Sequence, residues 1–162
     1  MIVKDSMVLI HLAKITLLER SCEYFKKVII PKKVYEEVVA CKEYPDTEII
    51  ESLVTNKKIA VIEVKNKKDI EKANQFNIQK GEAEAIALYW QENADFIATD
   101  DDNVRKKREM LNINIIGTPI IILKLHQEKI IPKDKFIESI NKLRRIGWFN
   151  SSILDKLLLE AK

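Results

Sequence analysis

The chain has little of what interrupts or cross-links a fold. Only three glycines and four prolines occur among 162 residues, which disfavours long loops and favours helices. The two cysteines, Cys22 and Cys41, show no Cys-x-x-Cys spacing and no nearby histidine pair, so neither a disulfide framework nor a zinc site is supported. No apolar run approaches the ~20 residues that a membrane span needs, and the N-terminus does not resemble a signal peptide. We expect a cytoplasmic protein that does not enter a membrane.

Several common catalytic signatures are absent as well. The sequence contains no Gly-x-Gly-x-x-Gly, no Walker-type Gly-Lys-Ser/Thr and no Gly-x-Ser-x-Gly. These absences argue against ordinary dinucleotide binding, P-loop nucleotide binding and serine hydrolysis on a strained turn. His11 and His126 stand alone, and we interpret both as helix-face residues rather than catalysts.

What is present describes an ordinary globular domain. Hydrophobic residues make up 46% of the chain and charged residues 33%, and the length predicts one domain over residues 1–162. The net charge of +3, from 28 basic and 25 acidic residues, is too mild to indicate nucleic-acid binding by itself. Basic clusters such as Lys32–Lys33 and Arg105–Arg108 either form a basic rim around an acidic pocket or scatter over the solvated surface, and the second interpretation is preferred.

Short apolar runs alternate with helical patterns along the chain. Strands are predicted at Met1–Lys4, Phe25–Ile30, Ile59–Val64, Phe96–Ala98 and Ile113–Ile116, and a turn at Tyr44–Asp46. This alternation predicts an α/β fold with a parallel sheet of about five strands, covered by helices on both faces. The C-terminal helices within residues 132–162 carry more hydrophobic residues than a surface helix needs, so they either complete the core or form a dimer face.

Acidic residues follow the predicted strands or open the predicted helices. The fourth strand leads into Asp100, Asp101 and Asp102, and the first strand leads into Asp5. Two more acids lie in helices: Glu37 follows Pro31, and Glu82 lies in a first turn after Gly81. Each has a simpler interpretation. Asp5 can merely cap a helix, although Ser6 is the predicted cap. Glu37 can be an ordinary solvated side chain. Glu82 can be in the first turn only because a negative charge there is favoured by the helix dipole.

A parallel sheet would bring these acids together. All strand carboxyl ends lie on one edge of such a sheet, which is where open α/β sheets bind ligands. Carboxylates gathered there repel one another and favour a hard divalent cation, so the pattern predicts a Mg²⁺ or Mn²⁺ site. Such an ion suits attack by water on a phosphodiester.

At residues 1–126 the sequence resembles the PIN-domain ribonucleases, in a prokaryotic and largely archaeal branch that includes toxin-like proteins. The resemblance lies in Ile2–Ser6, Ile30–Val38, Gly81–Ile86 and Ala98–Asp101, which match in order and spacing. It implies a three-layer α/β/α sandwich and a Mg²⁺- or Mn²⁺-dependent endoribonuclease.

The resemblance also implies roles for individual residues. The implied catalytic residues are Asp5, Glu37, Glu82, Asp100 and Asp101, and the implied metal ligands are Asp5, Glu37, Glu82 and Asp101. Glu82 stands where the family more often has Asp. The choice between Asp100 and Asp101 as ligand stays open. Ser6 would support Asp5, Asp102 would cap the next helix, and Arg105 would pair with the acids or meet a phosphate.

The implied partners are single-stranded RNA, an antitoxin protein and a second copy of the chain. The main alternative is a PIN-like module without catalysis that binds RNA or assists assembly. A phosphotransfer enzyme is a weaker alternative, because its Asp-x-Asp pattern is missing at Asp5–Met7.

Overall fold

The computed structural model describes residues 1–41 and 45–161. Five parallel strands form one sheet in the order β3-β2-β1-β4-β5. The strands are β1 (Ile2–Lys4), β2 (Val28–Pro31), β3 (Ile59–Ile62), β4 (Phe96–Ala98) and β5 (Ile115–Ile116). The predicted five-stranded parallel sheet is therefore confirmed.

Helices connect the strands and cover the sheet. The described part of the chain contains α1 (Ser6–Lys14), α2 (Leu18–Phe25), α3 (Lys32–Ala40), α4 (Pro45–Thr55), α5 (Lys67–Asn74), α6 (Lys80–Glu92), α7 (Asp102–Lys106), α8 (Arg108–Leu111), α9 (Thr118–Gln127), α10 (Lys133–Ile146) and α11 (Ser151–Glu160). Of the predicted turn at Tyr44–Asp46, Tyr44 lies outside the described residues, and Pro45 and Asp46 begin α4 instead. No described helix has both the length and the apolar character needed to cross a bilayer.

Strand β1 lies at the centre and divides the core in two. Successive residues of a strand face opposite sides of a sheet. Ile2 accordingly packs in a large cluster that also draws on α1, α9, α10 and α11, whereas Val3 packs in a smaller cluster with α6. Both side chains have no exposed surface, and burying each stabilises the fold by about 1.5–3 kcal/mol. The result is the predicted three-layer α/β/α arrangement.

The C-terminal helices contribute to the larger cluster. Phe136, Ile140 and Leu143 from α10 and Leu154 and Leu157 from α11 are buried in it. These two helices therefore take part in the core of the domain. Whether they also form a dimer face stays a prediction.

Several predicted boundaries were wrong by a few residues. The apolar residues from Val8 to Leu18 keep a helical spacing, but the chain breaks at Thr16, which has a φ of 61°. That left-handed residue turns the chain so that Leu17 and Leu18 return to the core. Similarly, α2 runs through Phe25, so β2 begins only at Val28.

Candidate active site

The acids that follow β1 and β4 are neighbours because the two strands pair. Lys4 lies opposite Ala98 in the register of the sheet, and the Asp5 amide donates to the Ala98 carbonyl at 3.0 Å. This pairing places Asp5 beside the segment that begins at Thr99. The carboxyl edge of the sheet thus carries acids from two separate parts of the chain.

Asp5 is buried and caps α1. Its Oδ1 accepts from the Val8 amide at 3.0 Å, so the cap is Asp5 and the prediction that Ser6 caps the helix was wrong. Only 3% of Asp5 is exposed. Burial raises its pKa from 3.8 to about 7, and the charges of Asp100 and Glu82 add to the rise, although hydrogen bonds from Thr99 and Val8 oppose it. Asp5 is therefore a carboxyl group for which ionisation is unfavourable in the folded chain.

Glu82 and Asp101 lie in direct contact. The Glu82 carboxyl, when protonated, donates a hydrogen bond to the Asp101 carboxylate, and Glu82 also experiences the charge of Glu37. Burial, followed by the charge and hydrogen bond of Asp101, raises the pKa of Glu82 from 4.5 to about 7. Asp101 also caps α7, because its Oδ1 accepts from the Val104 amide at 2.9 Å. The cap predicted at Asp102 was wrong; that side chain is 81% exposed.

Glu37 reaches this group from α3. Its Oε1 accepts from the Gly81 amide at 2.9 Å, which joins α3 to the start of α6. A Cβ on Gly81 would lie 2.5 Å from Glu37 Oε2, so the lack of a side chain there permits the close approach. Glu37, Gly81 and Glu82 line a cleft of about 390 Å³ together with Ser6. The solvated interpretation of Glu37 therefore does not hold.

Asp100 makes different contacts from Asp101. Its Oδ1 accepts from the Thr118 amide at 2.7 Å, and its Oδ2 lies 2.5 Å from Thr118 Oγ1 and 2.8 Å from His11 Nδ1. The Asp100 side chain is fully buried. It joins α1 to the start of α9, and it acts on Asp5 only through its charge. Asp101, not Asp100, is the member of the pair that contacts Glu82.

His11 is the residue that sequence reasoning missed. We interpreted it as standing alone on a helix face, yet it is 1% exposed and pairs with Asp100. A signal for its burial was present: Val8 lies three residues before it and Ile15 four residues after it, so both share its face of the apolar stripe. A buried histidine needs a hydrogen-bonding partner, and the sequence could not say which one.

Four of the predicted residues form what we call the acidic edge: Asp5, Glu37, Glu82 and Asp101. Glu82 is at its centre, because it interacts with each of the other three. Within the described residues, no three histidine, cysteine, aspartate or glutamate side chains are arranged to hold a metal ion as they stand. The donors nevertheless fit Mg²⁺ or Mn²⁺ chemically, since all are carboxylate oxygens and two have pKa values raised by burial and by acidic neighbours.

Comparison with known proteins adds a family. A family model described as a PIN domain matches residues 1–162. No curated protein and no solved structure matches the chain.

Proposed function

The chain belongs to the PIN-domain family, and from that premise we propose that it is an endoribonuclease that uses Mg²⁺ or Mn²⁺ at the acidic edge. PIN domains are generally nucleases and typically use divalent metals, which is the coarser part of the assignment. The finer part is hydrolysis of RNA phosphodiester bonds by this chain. It rests on the residues of the edge.

The observation that carries the proposal is the gathering of four acids from four separate segments. Asp5 follows β1, Glu37 lies in α3, Glu82 lies in α6 and Asp101 follows β4. Burial, together with the charges of the neighbouring acids, raises the pKa values of Asp5 and Glu82 to about 7, which is unfavourable for a fold at neutral pH. Arrangements of this kind are concentrated at functional sites.

Each acid has a stated task in this proposal. Asp5, Glu37, Glu82 and Asp101 would hold the ion, which when bound supplies a Lewis acid for the phosphoryl oxygens and makes a water more acidic. The Val8 amide and Thr99 fix the orientation of Asp5.

Cleavage of a labelled single-stranded RNA tests the proposal. We expect cleavage with Mn²⁺ or Mg²⁺, none with EDTA, and none with Asp5→Asn or Asp101→Asn. Asp95→Asn is the matched control, because Asp95 is an exposed carboxylate that pairs with the N-terminal ammonium. An Asp5→Asn protein that cleaves as fast as the parent, both freed of contaminating nuclease, would refute the assignment.

A second candidate is a PIN-like module that binds RNA or assists assembly without catalysis. Two observations favour it: Asp5 and Asp101 already serve as helix caps, and no three side chains of the described residues are arranged to hold a metal as they stand. This candidate predicts no heat of Mn²⁺ binding in calorimetry and a melting temperature that Mn²⁺ leaves unchanged. The nuclease proposal predicts the opposite results.

The roles that depend only on the resemblance are separate proposals. We propose a toxin that pairs with an antitoxin protein, and a homodimer. A short antitoxin-like reading frame beside the gene would support the first, and sedimentation of the purified protein measures the second.

A further inference from the structure

A second cleft lies next to the acidic edge, on the side of Asp100. It has a volume of about 490 Å³ and is formed where β5 and the helices α7, α8 and α9 meet the turn between α10 and α11. We call it the tryptophan cleft. Its lining includes Trp148, Phe149, Ile120, Ile153, Arg105 and Arg108.

The aromatic wall of this cleft is both fixed and exposed. Gly147, with a φ of 77°, ends α10 and turns the chain into Trp148. The Trp148 Nε1 donates to the Asp100 carbonyl at 3.2 Å, and the adjacent Phe149 packs its edge against the His11 ring. Trp148 nevertheless remains 52% exposed. A large aromatic ring that is anchored at one atom and open to solvent is a ready surface for stacking.

The opposite part of the cleft carries two arginines, together with the exposed Asp102 carboxylate. The Arg105 guanidinium lies close to Gly117, and it pairs only at 3.8 Å with the exposed Asp102 carboxylate. Arg108 is exposed and donates to the Arg105 carbonyl at 2.9 Å. Among the described residues, Arg108 has no carboxylate within ion-pair distance. Two guanidinium groups beside an aromatic ring are complementary to a phosphate beside a base.

The tryptophan cleft and the acidic edge are related through two residues that are consecutive in the chain. Asp100 lines the cleft and holds Trp148, whereas Asp101 contacts Glu82 at the edge. A strand that occupied both places would pass over this two-residue segment. A protein segment would also satisfy the apolar residues, but it would not by itself require the two arginines.

We propose that the tryptophan cleft binds one nucleotide of single-stranded RNA, with its base stacked on Trp148 and its phosphate held by Arg105 and Arg108. The choice of RNA as the ligand rests on the proposed function. What the cleft adds is a place that positions the RNA strand. Stacking is tolerant of sequence because every base has an aromatic face. The cleft therefore sets the path of the strand more than it selects a sequence.

Fluorescence of Trp148 tests stacking directly. The chain has two tryptophans, so Trp90→Phe leaves Trp148 as the sole reporter. We expect adenosine and uridine monophosphates to quench its emission and ribose 5-phosphate, which has no base, to leave it unchanged. Equal emission with all three compounds would overturn the proposal.

Binding of a fluorescein-labelled pentaribonucleotide in EDTA, where no metal supports cleavage, tests the whole cleft. We expect Trp148→Leu to weaken binding about tenfold and Trp148→Phe, which keeps a stacking ring, to weaken it far less. Arg108→Gln should weaken binding and reduce the slope of log affinity against log salt by about 0.7. Arg20→Gln is the matched control, because Arg20 lies exposed on α2, and it is expected to bind as the parent does.

The two proposals fail in different ways. Parental affinity for the pentaribonucleotide in Trp148→Leu, together with parental kcat and KM for cleavage, would overturn the cleft and leave the nuclease intact. Binding that depends on Trp148 without cleavage in any divalent metal would leave the cleft and remove the nuclease. A change of oligomeric state in Trp148→Leu with RNA affinity unchanged would identify the cleft as a protein interface and overturn the proposal.

Discussion

Replacing Asp5 with asparagine should make the folded protein more stable at pH 8 in the absence of metal. The folded pKa of Asp5 lies near 7, above its ordinary value of 3.8, so the folded chain holds that proton more tightly than the unfolded chain does. Protonated Asp5 therefore contributes to the free energy of unfolding. This contribution is fully present below about pH 4 and is lost as the pH rises through about 7. Asparagine has no such charge, and it caps a helix as well as aspartate does.

The size of the effect follows from the pKa. A rise from 3.8 to about 7 corresponds to about 4 kcal/mol between the protonated and ionised forms. Asp5→Asn should therefore exceed the parent in free energy of unfolding at pH 8 by up to about 4 kcal/mol, and the two should be equal near pH 4. In a domain of this length such a difference raises the melting temperature by roughly 8–16 °C.

Urea unfolding of parent and variant in EDTA, at one-unit intervals from pH 4 to pH 8, measures the difference. Asp95→Asn is the matched control with the opposite sign, because the N-terminal ammonium holds the pKa of Asp95 below its ordinary value. The free energy of unfolding of Asp95→Asn should not rise relative to that of the parent as the pH increases. If Asp5→Asn is no more stable than the parent at pH 8, Asp5 is not a desolvated carboxyl and the acidic edge does not carry the unfavourable charge inferred for it.

Three further predictions address the same edge. Gly81→Ala places a Cβ 2.5 Å from the Glu37 carboxylate, so we expect the Glu37 side chain to move and the cleavage rate to fall at least tenfold. The melting temperature should hold or rise, since alanine favours a helix. A circular dichroism spectrum that shows loss of folding would contradict this prediction. Asp100→Asn should lower the free energy of unfolding by about 1–3 kcal/mol in urea, because a buried hydrogen-bond network is broken. Asp101→Asn should be as stable as the parent but should not cleave RNA. If instead Asp101→Asn is destabilised and still cleaves while Asp100→Asn is stable and inactive, Asp100 is the ligand. Mn²⁺ should raise the melting temperature more at pH 8 than at pH 5, because Asp5 and Glu82 must lose protons to bind it; an equal rise at both pH values would contradict ligation by these groups.

The sheet could be predicted from the sequence because its signals are local. Runs such as Ile59–Ile62 and Phe96–Ala98 are short, apolar and followed by polar residues, and alternation with helices leaves a parallel sheet as the simplest arrangement. Boundaries were less accurate. Tertiary packing, not periodicity, ends α1 before Thr16 and starts β2 at Val28.

The acidic edge was predictable in part. Asp5 and Asp101 follow paired strands, so their proximity results from topology alone. Glu37 and Glu82 lie in helices, and their approach depends on the contact of Glu37 with the Gly81 amide, 44 residues away. No pattern near Glu37 distinguishes that contact from a solvated carboxylate.

By itself, the sequence determined which segments become strands, in what order acids follow them and hence that one edge of the sheet is acidic. Only the tertiary structure gave Asp100 and Asp101 different contacts, because adjacent residues after a strand differ in nothing local; which of the two binds a metal stays a prediction. His11 on α1 and Thr118 on α9 bind the Asp100 carboxylate, which leaves Asp101 to Glu82. The tryptophan cleft likewise depends on a contact between residues 48 apart in the chain. Such contacts form when whole elements pack, and hydrophobic periodicity specifies which face of each element is buried but not which polar groups meet there.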